Sequence, residues 1–72
     1  MDHRNETREH KEKIQAMEQM INNTQENIHK AEQDIEQTAL AARKEKLEEE
    51  NDKRVESIEN FRREIEEERS FL

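Results

Sequence analysis

Only a few residues of this chain have types and spacings that could do chemistry. Glu26-Asn27-Ile28-His29 has the Glu-x-x-His spacing that aims two ligands into the centre of di-metal helical bundles. A helix that buries Ile28 turns His29 to the flank, so the string reads as part of a solvated face. No His-Glu-x-x-His zinc pattern is present. His3 and His10 would lie about 10 Å apart along a helix, too far to share one ion bound at about 2 Å. Ser57 and Ser70 are lone serines with no histidine close in sequence, so nucleophilic catalysis has no basis. Solvated carboxylates keep ordinary protonation, and tuning one for acid–base work needs burial. The reading is therefore non-enzymatic, with no catalytic residue, no cofactor, no metal and no small-molecule ligand.

The elements that would carry these side chains are helical. The 72 residues contain no Gly, Pro or Cys, and 46% are charged. Large aliphatics and Phe make up 12 of the 72 positions, below the roughly 20% under which a charged chain tends to disorder. Helix competes well all the same. Breakers are absent, and Glu, Lys, Arg, Gln, Ala, Leu and Met are good helix formers. Glu9–Lys13, Glu26–Lys30, Glu49–Lys53, Glu50–Arg54 and Glu59–Arg63 add i,i+4 pairs with the acid first.

Net charge is −7. That surface repels phosphate, so nucleic acid is not an expected partner. No apolar run approaches the ~18 residues of a membrane span, and the acidic polar face opposes anionic lipid. With no signal peptide visible in the polar opening residues, the expected location is intracellular.

Two heptad frames run along the chain. In the first, position a falls on Ile14, Ile21, Ile28 and Ile35, and d on Met17, Thr24, Ala31 and Thr38. In the second, a falls on Lys44, Asn51, Ile58, Ile65 and Leu72, and d on Leu40, Leu47, Arg54, Phe61 and Glu68. The frames slip by two residues, which neither a stutter nor a stammer absorbs. One straight helix would therefore move its apolar stripe around its axis near Thr38–Leu47.

A helical hairpin explains the slip better. Folding about residue 41 sets Ile35 against Leu47, Ile21 against Phe61, Met17 against Ile65, Thr24 against Ile58 and Ala31 against Asn51. The expected organisation is a polar lead-in over 1–13 that frays, a first helix over 14–38, a turn at 39–43 and a second helix over 44–72. Asp2 or Asn5 is placed to cap the start. The turn has no Gly, and a non-Gly residue in the left-handed region would cost roughly 1–2 kcal/mol. Glu66, Glu67 and Glu68 oppose the dipole at the far end, so that end frays too. The fold class is all-α, an antiparallel two-helix hairpin, the alternative being a single long helix in a coiled coil with partner chains. The expected helix-pairing residues are Ile14, Met17, Ile21, Thr24, Ile28, Ile35, Leu47, Asn51, Ile58, Phe61 and Ile65. Asn51 is placed to fix register. The expected partners are the chain itself or other helical protein chains, and two hairpins could join as a four-helix bundle.

Two stretches resemble the small acid-soluble spore protein Tlp family. One is Asn23-Thr24-Gln25-Glu26-Asn27-Ile28 followed by Ala31-Glu32. The other is Asn51 and Arg54, then Glu56-Ser57-Ile58-Glu59-Asn60-Phe61-Arg62 and Glu64-Ile65. Met17, Met20 and Ile21 fall where that family has apolar residues. The resemblance spans about residues 14–68. It implies a small protein of the spore core, without established catalysis, in a structural or storage role. It also implies a turn near the middle, where the family carries Ser-Gly and this chain has Leu40-Ala41. The family's thioredoxin-like label finds no support, since there is no Cys-x-x-Cys and no βαβ pattern. A generic coiled-coil module that binds a helical target is the other reading.

Overall fold

A computed structural model describes residues 3–72, with side chains from Glu6 onward. Two helices, α1 (His3–Gln37) and α2 (Ala41–Arg69), pack against each other as an antiparallel hairpin. There is no strand among the described residues. The rod measures 59 × 15 × 12 Å between Cα atoms. The absence of Gly and Pro inside either element lets both run for many turns without a break.

Three boundaries differ from the sequence expectation. The helix reaches back through the lead-in to His3, because residues 3–13 are helix formers and His10 continues the d positions one heptad before Met17. Asn5 thus lies within the helix and is not its cap, while Asp2 falls outside the described residues. The connection is Thr38–Leu40, shorter than 39–43, because Ala41, Ala42 and Arg43 join α2. At the far end α2 stops at Arg69, just past the three glutamates. Ser70 closes it with φ −64° and ψ −18°, donating its N–H to the Glu66 and Glu67 carbonyls at 3.1 Å.

The turn costs less than its sequence suggests. No described residue has a positive φ, so the left-handed penalty is not incurred. The reversal uses extended backbone at Leu40, with φ −87° and ψ 112°. The Thr38 hydroxyl accepts the Leu40 N–H at 3.3 Å, and the Thr38 N–H bonds to the Asp34 carbonyl at 2.9 Å. Arg43 meets Asp34 across the turn at 3.8 Å.

The shorter turn also resets the register. The chain folds about Ala39, not residue 41. Glu68 therefore meets His10, Asn51 meets Ile28 and Arg43 meets Asp34. Ile14 comes level with Ile65 and Ile21 with Ile58, and these four form one buried cluster. The expected pairings of Ile21 with Phe61, Met17 with Ile65, Thr24 with Ile58, Ile35 with Leu47 and Ala31 with Asn51 are thereby displaced by about one helical turn.

Candidate functional site: the helix-pairing seam

The heptads concentrate the buried apolar residues of the chain on one seam. Ile14, Ile21, Ile58 and Ile65 are 6–8% exposed, and Met17, Ile28 and Phe61 pack around them. Fully burying an aliphatic side chain is worth about 1.5–3 kcal/mol, so the four isoleucines supply an upper bound of roughly 6–12 kcal/mol. This cluster sits at the open end of the hairpin. Toward the turn the seam thins to Ala31, which is buried, and to Ile35 and Leu47, which are half-buried.

Polar residues occupy the middle of the seam. Thr24 is half-buried, and its hydroxyl donates to the Met20 carbonyl at 2.8 Å, so it is satisfied within its own helix. Asn51 donates from Nδ2 to the Ile28 carbonyl of the facing helix at 3.4 Å. Its Oδ1 accepts from Arg54 at 2.8 Å, and Arg54 lies 3.8 Å from Glu50. A lateral slip of either helix would strand that amide, which ties the register to this layer.

Ion pairs stitch the flanks. Glu18 meets Arg69 at 3.5 Å on one side, and Lys13 reaches Glu68 at 3.9 Å. Exposed pairs of this kind contribute about 0–1 kcal/mol each. Of the five i,i+4 pairs spaced in the sequence, Glu50–Arg54 forms, whereas Lys13 turns across to Glu68 and Arg63 donates to the Asn60 side chain.

From sequence, His10 is weighed only as a metal ligand and is left out of the helix-pairing residues. It is partly buried, bonds through Nδ1 to Glu68, and stacks on Phe71 with ring centroids 5.0 Å apart and planes 11° from parallel. Extending the first heptad backwards would have found it at d. The Phe71 contact had no sequence signal, since Phe71 lies outside the a and d positions and follows the end of α2.

The residues first considered for chemistry do not assemble. His29 is exposed and lies 3.6 Å from Glu32. Among the described residues, no three or more His, Cys, Asp or Glu side chains are arranged to hold a metal. Ser57 is exposed, and Ser70 donates its hydroxyl to the Glu67 carbonyl. An open depression of about 460 Å³ is lined by Lys13, Ala16, Met17, Glu64, Glu67 and Glu68, and within it Lys13 lies 3.9 Å from Glu68. Among the described residues no helix is long and apolar enough to cross a membrane. Among the described residues, Met20 and Val55 are the large apolar side chains exposed along the helix bodies.

Residues 2–71 match the family model described as small, acid-soluble spore protein Tlp. Neither a curated protein nor a solved structure matches the chain.

Proposed function

The chain belongs to the small, acid-soluble spore protein Tlp family, and from that membership we propose that it is a non-enzymatic protein of the spore core with a structural and storage role. The observation that carries this reading is the extent of the match, residues 2–71 of 72. The hairpin is consistent with it. Its apolar seam is closed within the chain, and its surface is charged and amide-bearing. On this reading the protein acts through its amount and its amino acids. Its net charge of −7 disfavours a role on nucleic acid.

A target-binding coiled-coil module needs an apolar stripe free to receive a partner helix. Here Ile14, Ile21, Ile58 and Ile65 already cover one another, so self-pairing is the partner reading that the geometry favours.

The test is to follow the protein by immunoblot of acid extracts from an endospore former carrying this gene. The expected result is appearance late in sporulation, retention in dormant spores and loss on germination. Equal amounts in growing cells and spores would overturn the spore-core reading.

A further inference from the structure

Between His3 and Arg69, only Thr38, Ala39 and Leu40 lie outside a helix. Leu40 is the residue an endopeptidase would meet first. It is 66% exposed, and its backbone is already extended at φ −87° and ψ 112°. Peptidases bind substrates as extended strands, and exposed loop tips are the preferred sites of nicking.

Two further features weaken this end. Leu40 is the N-cap residue of α2 but offers no side-chain acceptor to the free N–H groups. The first turn carries no acid, and Arg43 and Lys44 place positive charge where the helix dipole disfavours it. The nearest large seam residues, Ile35 and Leu47, are only half-buried, while the four-isoleucine cluster lies at the opposite end. Local opening at the turn therefore breaks few contacts.

We propose that the Leu40–Ala41 peptide bond is a cleavage site for an endopeptidase that accepts a large apolar side chain before the bond and alanine after it, and that this single cut releases the whole chain for digestion. The reaction is hydrolysis. The C–N bond breaks, water supplies the oxygen that makes the Leu40 carboxylate, and its protons leave Ala41 as an ammonium. That ammonium then sits at the positive end of the α2 dipole. The cut also removes the turn that holds the helices at high effective concentration. A seam with four buried isoleucines must then survive as a bimolecular contact, against the entropy of association.

The test uses purified full-length protein and dilute chymotrypsin, with products read by mass spectrometry. The first internal products should be 1–40 and 41–72, with cleavage after Leu47 and Phe61 at least about tenfold slower because both are held in helix. Subtilisin, which has broad specificity, should also open the chain first within the turn. Early cutting after Leu47 or Phe61, or a first subtilisin cut inside either helix, would refute the site. Separately, synthetic 1–40 and 41–72 mixed at micromolar concentration should show less than about half the helicity of the intact chain. A helical, protease-resistant complex of the two would refute the release step. These measurements use isolated protein, so their failure leaves the spore-core reading standing, and the converse also holds.

Discussion

Ile58→Ala tests whether the seam carries the fold. Ile58 is 6% exposed and packs with Ile14, Ile21 and Ile65. Truncating a buried isoleucine to alanine typically costs about 2–5 kcal/mol, the spread reflecting how far the site can collapse. A two-helix seam is open on both flanks and can close over part of the void, which places the cost near about 2–3 kcal/mol. A chain of 72 residues at about 0.05–0.15 kcal/mol per residue has roughly 4–11 kcal/mol to lose. With five buried apolar residues, this hairpin belongs at the low end. The substitution should thus remove about half or more of its stability. The assay is thermal and urea unfolding followed by circular dichroism at 222 nm. At about 4–8 °C per kcal/mol for a domain of this size, Tm should fall by about 10–20 °C. Val55→Ala is the control. Val55 is 46% exposed, and its truncation should change stability by no more than about 0.5 kcal/mol. Equal effects of the two substitutions would show that burial in the seam is not what holds the helices together.

Leu40→Asp should stabilise the hairpin by about 1 kcal/mol, because the N-cap of α2 has extended dihedrals but no side-chain acceptor. Tm should rise by about 4–8 °C, and a fall would mean that the exposed leucine contributes packing not evident from its 66% exposure. Energy-transfer labels at Glu12→Cys and Glu66→Cys, both exposed and at the open end, should report a short intrachain distance when labelled chains are diluted into unlabelled ones. A separation near the ~80 Å of a continuous helix would replace the hairpin with one long rod.

Much of this fold is legible in the residues. Seven-residue spacing marks a stripe on each helix, through Ile14, Ile21, Ile28 and Ile35 in the first and through Ile58 and Ile65 in the second, and the buried residues of both helices fall at a or d positions of these two frames. The two-residue slip between frames points to a reversal, which the structure places at Thr38–Leu40. The absence of Cys rules out a disulfide framework and a thiolate metal site. These are local or periodic properties, and periodicity survives without knowledge of the partner helix.

The register was decided by tertiary structure. It depends on how many residues the turn consumes, and that follows from backbone angles at Thr38–Leu40 and from Ala41–Arg43 joining α2. Heptad spacing is indifferent to such a shift, since a and d layers can face each other in more than one way. The bond from Asn51 to the Ile28 carbonyl, the turn of Lys13 toward Glu68, and the clasp of His10 with Glu68 and Phe71 all follow from that register. Each joins residues far apart in sequence, and only the paired helices bring them within reach.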